Sequence, residues 1–352
     1  MILSSFKYKE FGWELTGLSP LNSVNLLVAR NATGKTRTIN ALHNVTSFLK
    51  MKEVKMFTPW FEAALQFKDE KNTDWEMSYS FKFNNGIVEK EILSVNGVTL
   101  IKRTADTAQY ENITINPPSD KLVVQIRRDK DLYPDIERLM LWAEGVTSVS
   151  CSDIIPITVP GIGKLINPFS FSNLVESLSL DEINKVLDTA QKLGYNISSI
   201  KTIDAANLRL VQIKEESIPH EMVDIQLSSG MLRTLYLLCF LSVIKHNKKP
   251  SLLLIDDMSE GLDYRRSIDL GKVIFEDCAQ NGLQLIASSN DACLMDVVDI
   301  ANWQILRRTG SKVSTINQAL NPDLFREFRM TGLSNFDLFS SDFIDRYLRR
   351  EK

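Results

Sequence analysis

The sequence has few of the residues that build metal centres and disulfide frameworks. It contains four cysteines and three histidines in 352 residues. None of them is spaced as zinc ligands are, so a structural zinc site is not expected. Reduced thiols are the rule in the cytosol, and the cysteines therefore predict a cytoplasmic protein.

Long apolar runs and a strong charge of one sign are also missing. The most apolar window, residues 235–244, is too short to span a bilayer. Lys7, Lys9 and Glu10 interrupt any apolar core of a signal peptide. A net charge of −3 argues against a wholly basic nucleic-acid binder, although a local basic patch is compatible with it. We therefore expect no membrane partner.

Heptad-patterned segments and internal repeats are absent too, which excludes a long coiled-coil arm within these residues. What is present is ordinary for a globular protein, with 44% hydrophobic and 24% charged residues. A chain of this length can bury a full core, as one large domain or as two smaller ones.

Residues 26–38, LLVARNATGKTRT, have the order expected of a phosphate-binding loop. An apolar run at 24–28 predicts a buried strand, and an amphipathic segment follows the loop. Gly34 allows the backbone to approach a phosphate, Lys35 can reach the β- and γ-phosphates, and Thr36 can offer its hydroxyl to Mg²⁺. Amides at the helix start add positive potential.

Two alanines depart from the usual pattern of this loop. The spacing G-x-x-x-x-G-K-[ST] places a glycine where this chain has Ala29, and Ala32 stands where a second glycine is common. Alanine is tolerated where φ is negative and is costly where φ is positive. A chance match of three residues at a helix start is the alternative, so the assignment depends on motifs further along the chain.

A β-rich stretch follows the phosphate loop and its helix. Residues 60–103 alternate between apolar and polar positions, which is typical of half-buried strands. Asn85-Gly86 and Asn96-Gly97 punctuate the alternation as hairpin turns. The pattern predicts an antiparallel meander.

Strands and helices alternate in the second half of the chain, which predicts a mostly parallel central sheet covered by helices. The fold class is therefore α/β, a P-loop NTPase organised as one head over residues 1–352. Its core lobe comprises residues 1–103 and 205–320. A helical insert occupies about 104–204, although LVVQI at 122–126 is strand-like, and a helical tail occupies about 321–352.

The apolar run LLLIDD, residues 252–257, predicts a buried strand that ends in two carboxylates. Asp256 is placed to hold Mg²⁺, directly or through water, as the ion bridges nucleotide phosphates. Asp257 is placed to orient or deprotonate an attacking water.

The segment LSSGM, residues 227–231, opens a long apolar helix and predicts a second anion site. The Ser228 hydroxyl, the Gly230 amide and the helix N-terminus all favour a phosphate. A single subunit that binds one nucleotide does not need two phosphate-binding helix starts. A dimer needs both if the LSSGM segment of each subunit closes on the nucleotide of the other.

The ordered motifs together resemble the nucleotide-binding head of ABC-type ATPases. The resemblance is closest to the RecF and SMC branch and to compact stand-alone AAA-family ATPases of bacterial anti-phage defence systems. It covers residues 1–50 and 205–308 and rests on ARNATGKT, LSSGM, LLLIDD, EGLD and SSND. By position, the resemblance implies that Lys35 and Thr36 are the Walker A lysine and hydroxyl and that Asp256 is the Walker B aspartate. It also implies that Ser228 and Gly230 are the signature residues and that Asp263 is the dimer-loop aspartate.

Three residues depart from the family pattern. Asp257 stands where a catalytic glutamate is expected and is shorter by one methylene, roughly 1.5 Å. Asn290 replaces a switch histidine and can hydrogen-bond a γ-phosphate but cannot titrate. Ser229 replaces a signature glycine.

These assignments define the expected site, with ATP and Mg²⁺ as cofactors. The catalytic candidates are Lys35, Asp257 and Asn290, and the metal ligands are Thr36 and Asp256. Nucleotide contacts are assigned to Asn31, Thr33, Gly34, Lys35, Thr36, Arg37, Ser228, Gly230 and Asp263.

The partners implied are a second copy of the chain, as a homodimer or larger homo-oligomer, and a separate effector protein. The effector is expected because the chain shows no nuclease or toxin motif. Nucleic acid is left open as a further partner.

Two other functions compete with an ATP-gated ATPase. A nucleotide-loaded scaffold with little or no hydrolysis is suggested by Asp257 and Asn290. A small-molecule P-loop kinase would need an arginine-rich lid soon after the phosphate loop, where this chain has hairpins.

Three side chains are open to more than one interpretation. Phe11 and Trp13 could lie against an adenine ring, although core packing is the more common role of such aromatics. Gln66 is a weak candidate for contact with a metal or water.

Overall fold

The computed structural model describes residues 1–50, 58–69, 74–151, 154, 169–205, 208–246, 250–259 and 261–350. The strands are β1 Ile2–Glu10, β2 Trp13–Leu18, β3 Val24–Val28, β4 Trp60–Lys68, β5 Glu76–Asn84, β6 Ile87–Val95, β7 Val98–Arg103, β8 Ala108–Tyr110, β9 Ile113–Ile115, β10 Val146–Ser150, β11 Ile197–Ala205, β12 Leu208–Glu215, β13 Met222–Val223, β14 Leu252–Asp256, β15 Gln284–Ser288, β16 Trp303–Thr309 and β17 Lys312–Ile316.

The helices cover both faces of the sheet and follow the alternation expected from the sequence. They are α1 Lys35–Leu49, α2 Val123–Ile126, α3 Pro134–Glu144, α4 Phe171–Ser177, α5 Leu180–Lys192, α6 Ser229–His246, α7 Tyr264–Gln280, α8 Ala292–Val297, α9 Pro322–Met330, α10 Asn335–Ser340 and α11 Phe343–Arg350. No helix among the described residues is long and apolar enough to cross a membrane.

One sheet of fourteen strands organises the fold, and its parallel part carries the expected site. The strands β10, β14, β15, β3 and β16 are adjacent and parallel, in that order. Every residue of β3, β14 and β15 is buried, as expected for strands covered on both faces. Their carboxyl ends therefore meet at one edge of the sheet. Apart from the parallel pair β17–β2, the remaining pairings in this sheet are antiparallel.

The antiparallel part is the meander expected after the first helix. Strands β4 to β9 pair in sequence, and β1 joins them to the parallel part through β2. Asn85-Gly86 and Asn96-Gly97 adopt positive φ at the hairpin turns. Both turns are confirmed at the positions predicted from the Asn-Gly pairs.

The insert at 104–204 is not wholly helical, which corrects the prediction. It contains the short strands β8 and β9, which extend the meander, and β10, which pairs with β14. The strand-like run at 122–126 forms helix α2 instead, because its first amides are hydrogen-bonded by a distant carboxylate. This tertiary contact overrides the β-propensity of the valines.

That carboxylate belongs to Glu91, a fully buried residue of the meander strand β6. It accepts hydrogen bonds from the amides of Val123 at 2.7 Å and Val124 at 3.2 Å, and from the Tyr79 hydroxyl at 3.0 Å. The buried guanidinium of Arg103 lies 4.0 Å away. Burial raises the pKa of Glu91 to about 7, against the lowering effect of these hydrogen bonds and of Arg103.

Glu91 should make the stability of the protein depend on pH. Because its folded-state pKa lies above the ordinary value of 4.5, folding takes up a proton and the unfolding free energy falls as pH rises from about 4.5 to about 7. Relative to Glu91→Gln, which does not titrate, wild type should lose roughly 3 kcal/mol across this window. Urea unfolding of both proteins at several pH values measures the difference. Parallel pH profiles for the two proteins would contradict the raised pKa.

Candidate phosphate-binding cleft

A cleft of about 1050 Å³ opens at the edge where β3 and β14 end. It is lined by the loop after β3, by one face of α1, by the β1–β2 turn and by residues 58–61. Asp257, Asn290 and Arg308 complete its wall. A volume of this size suits a ligand as large as a nucleotide.

The loop after β3 carries one strained alanine and one glycine whose positive φ disfavours a side chain. Gly34 has φ 122° and precedes α1, and a Cβ there would stand 3.5 Å from the Trp13 indole nitrogen. Ala32 has φ 62°, a left-handed conformation that costs about 1–2 kcal/mol. Ala29 does not adopt a positive φ. Only one of the two departures from glycine is therefore strained.

Arg308 reaches from the end of β16 and supports the strained residue. Its guanidinium donates to the Ala32 carbonyl at 3.2 Å and to the Gly310 carbonyl at 2.9 Å. The Thr33 amide donates to the Arg30 carbonyl at 3.2 Å, which closes the turn. Thr33, assigned to nucleotide contact by the sequence, does not line the cleft.

Lys35 begins α1 with its side chain largely buried, only 7% of the residue being exposed. Its ammonium donates to the Ala29 carbonyl at 2.9 Å and to Asn290 Oδ1 at 2.6 Å. Asn290 in turn donates through Nδ2 to Asn31 Oδ1 at 3.0 Å. Burial lowers the pKa of Lys35, and the charge of Asp257 opposes this shift. The structure thus brings together the assigned residues Asn31, Lys35 and Asn290.

The two carboxylates lie at the end of β14, next to β15. Asp256 is 3% exposed, and its Oδ1 accepts a hydrogen bond from the Ser288 hydroxyl at 2.5 Å. Asp257 lines the cleft and has φ 52°, a left-handed conformation that aspartate tolerates better than most residues. Its amide donates to Ser288 Oγ at 3.0 Å.

These residues fit a nucleotide with its Mg²⁺. Within the described residues, the buried Lys35 ammonium donates to two neutral oxygens and has Asp257 and Asp256 as nearby charges, so a phosphate would add further counter-charge. Thr36 and Asp256 offer the oxygen ligands that Mg²⁺ prefers. The described residues contain no cluster of three His, Cys, Asp or Glu that could hold a metal. Phosphate and water would therefore have to complete the coordination.

The signature residues lie outside the cleft of their own chain. Ser228 is exposed and precedes α6, where its hydroxyl accepts the Met231 amide at 3.3 Å. Gly230 is buried, and a Cβ there would meet the Gly261 carbonyl at 3.0 Å. A side chain at Gly230 would therefore press on the Gly261 backbone, so the glycine has a packing role within the subunit.

Asp263 caps helix α7 and also lies outside the cleft. It accepts the Arg266 amide at 3.1 Å and pairs with the Arg266 guanidinium at 3.1 Å. Glu260 of the same motif lies outside the described residues. The position of Asp263 has a structural explanation that needs no nucleotide.

Arg37 and the neighbouring aromatics line the cleft beside the phosphate loop. The Arg37 guanidinium pairs with Glu10 at 2.6 Å and lies 4.9 Å from the centre of the Trp13 ring. Trp13 is 2% exposed, so it packs in the core and has no face free for a base, whereas Phe11 is 87% exposed at the cleft edge. Gln66 is exposed on β4 and does not line the cleft.

Sequence reasoning missed three polar residues of this region. Arg30 lies within the phosphate loop and lines the cleft, so its position in the motif could have drawn attention to it. Ser288 belongs to the SSND motif and could have been found there. Arg308 follows no recognised motif, and only the pairing of β3 with β16 places it near Ala32.

Comparison with solved structures identifies the fold. The Smc head bound to the C-winged helix domain of ScpA is 13% identical over 90% of this chain and 97% of that chain, with a TM-score of 0.51. The Smc head domain with an extended coiled coil, bound to the C-terminal domain of ScpA from Pyrococcus furiosus, is 10% identical over 93% and 99%, with a TM-score of 0.51. No protein-family model and no curated protein matches the chain. The chain therefore has the fold of an SMC head domain.

Lys35→Ala should weaken ATP binding at least about tenfold, or about 1.4 kcal/mol, because it removes the buried cation of the loop. Fluorescence titration with a labelled ATP analogue measures the affinity. Lys192→Ala is the control, because it removes an exposed lysine of α5. It should bind ATP with the wild-type affinity. Equal affinities for Lys35→Ala and wild type would contradict the assignment of the loop.

Proposed function

We propose that this protein is an ABC-type ATPase head that binds ATP with Mg²⁺, dimerises on it and hydrolyses it. The observation that carries the proposal is the buried Lys35 ammonium. It is bonded to Asn290 at the end of β15, beside the paired carboxylates that end β14. A P-loop, two carboxylates and a polar residue meeting at one sheet edge suit phosphate transfer to water.

Each residue of the cleft has a part in this chemistry. Lys35 and the amides at the start of α1 bind the phosphates, and Asn290 turns its Nδ2 donor from Asn31 Oδ1 to a phosphate oxygen. Thr36 and Asp256 would hold Mg²⁺, which supplies positive charge where negative charge develops on the transferred group. Asp257 holds the attacking water and accepts its proton.

The signature residues support a shared site. Ser228 is exposed at the start of an eighteen-residue helix and does not line its own cleft. A second subunit placed head to tail would bring its Ser228 and Gly230 to this subunit's nucleotide, and the helix N-terminus would face the phosphate. The fold shared with SMC heads supports the same arrangement.

A separate partner protein is the second part of the proposal. The similar Smc heads were solved with ScpA domains bound to them. By analogy, this head would pass its nucleotide state to an effector. A role in DNA-related or anti-phage defence rests on the sequence resemblance alone, and the proteins that co-purify from the native host would test it.

A nucleotide-loaded scaffold is the second candidate function. Asp257 is one methylene shorter than a glutamate, and its left-handed backbone sets where the carboxylate can reach. Nucleotide-dependent dimers of wild type without measurable turnover would favour this candidate.

Asp257→Asn should keep ATP binding and lower hydrolysis by about a hundredfold, since the amide cannot accept the proton from water. Asparagine also tolerates positive φ, so the backbone should be preserved. Phosphate release from saturating ATP measures the rate. Asp256→Ala should behave differently, by weakening Mg²⁺-dependent binding. Hydrolysis at the wild-type rate in Asp257→Asn would contradict its role.

Ser228→Arg should bind ATP almost normally as a monomer and fail to dimerise, because the side chain would stand against the opposing phosphate. Light scattering with and without ATP measures the mass. Ser217→Arg, at an exposed loop position, is the control and should still dimerise. ATP-dependent dimers of Ser228→Arg would contradict the shared site.

A mixture of Ser228→Arg and Lys35→Ala gives a sharper test of the same geometry. A mixed dimer has two nucleotide sites, each formed by the phosphate loop of one subunit and the LSSGM segment of the other. Both substitutions then lie in the same site, and the other site keeps Lys35 and Ser228. Partial ATP-dependent dimerisation should therefore return in the mixture although each variant fails alone.

A further inference from the structure

The hydroxyl of Ser288 joins the Asp256 carboxylate to the backbone amide of Asp257. The residue is fully buried at the end of β15, which pairs with β14 in parallel. Its Oγ donates to Asp256 Oδ1 at 2.5 Å and accepts the Asp257 amide at 3.0 Å. A serine hydroxyl has one proton to donate, and this arrangement uses it on the carboxylate.

The backbone of Ser288 adds a third contact to the same segment. Its carbonyl accepts the Met258 amide at 3.0 Å, so the chain leaving β14 is held on both sides of Asp257. Asp257 has φ 52°, and a residue in that conformation persists only where its surroundings hold it. The hydroxyl and the carbonyl of Ser288 both help to hold this turn against β15.

The hydroxyl also restricts how Asp256 can turn. The bond from Ser288 to Oδ1 restricts rotation of the carboxylate, and no hydrogen bond from the described residues occupies Oδ2. Groups that orient a metal-binding carboxylate typically change metal affinity about 10- to 100-fold when they are removed.

We infer that Ser288 is a positioning residue, whose hydroxyl orients the Asp256 carboxylate toward Mg²⁺ and holds the turn that presents Asp257. The inference rests on the proposed function, since it assigns the same cleft to a Mg²⁺-nucleotide. It adds a residue that none of the sequence motifs assigned, and it gives that residue a measurable property, the Mg²⁺ requirement of nucleotide binding.

Ser289 provides a matched control inside the same motif. It is buried to the same degree, 1% exposed, and its Oγ accepts the Asp291 amide at 3.0 Å. Within the described part of the chain, its hydroxyl donates to neither Asp256 nor Asp257. If loss of any buried hydroxyl changed the Mg²⁺ requirement, Ser288→Ala and Ser289→Ala would change it alike. If the hydroxyl positions Asp256, Ser288→Ala changes the requirement and Ser289→Ala does not.

The experiment measures binding of a fluorescent ATP analogue in EDTA and at increasing Mg²⁺. Ser288→Ala should need about tenfold more Mg²⁺ for half-maximal binding, with unchanged affinity in EDTA. Ser288→Thr, which keeps the hydroxyl, should restore the wild-type requirement, and Ser289→Ala should keep it. If Ser288→Ala does not fold, Ser288→Cys, close in shape and a weak donor, should show the same increase.

The outcomes separate this inference from the proposed function. An unchanged Mg²⁺ requirement in folded Ser288→Ala or Ser288→Cys would overturn the positioning role and leave nucleotide binding intact. An equal shift in Ser289→Ala would overturn it as well. Absence of nucleotide binding in wild type would contradict the proposed function, and the positioning role with it.

Discussion

A buried ammonium is the constraint on which the cleft depends. Lys35 lies where water is largely excluded, and its hydrogen bonds go to the Ala29 carbonyl and Asn290 Oδ1. Burial lowers the Lys35 pKa, and the nearby carboxylates Asp257 and Asp256 oppose this shift. An anionic ligand at this point would gain both the ammonium and the helix start, which is the basis for proposing phosphate binding here.

The arrangement of strands explains how distant parts of the chain meet at this ammonium. Strand β15 lies between β14 and β3, so the turn after β15 carries Asn290 to Lys35 while Ser288 reaches Asp256 and Asp257. Parallel pairing places all three carboxyl ends at one edge. A one-strand change in this order would separate the groups, because neighbouring strands are nearly 5 Å apart.

The sequence predicted the parts of the fold that depend on local pattern. The phosphate loop, the Asn-Gly hairpins and the buried strand ending in Asp256 each depend on neighbouring residues. Contacts between distant segments could not be read in this way. Glu91 turns a strand-like run into a helix from more than thirty residues away. Glu10 pairs with Arg37, which sequence reasoning had assigned to the nucleotide, because the β1–β2 turn lies against α1.

Hydrogen–deuterium exchange of wild type, with and without ATP and Mg²⁺, tests the central claim most directly. Amides that bond to phosphate exchange slowly, so the account predicts slower exchange in residues 30–38. If the site is shared between subunits, residues 228–232 should slow as well. Slower exchange in residues 30–38 without slower exchange in residues 228–232 would contradict the shared site but not nucleotide binding. Unchanged exchange in 30–38 would contradict nucleotide binding at this loop.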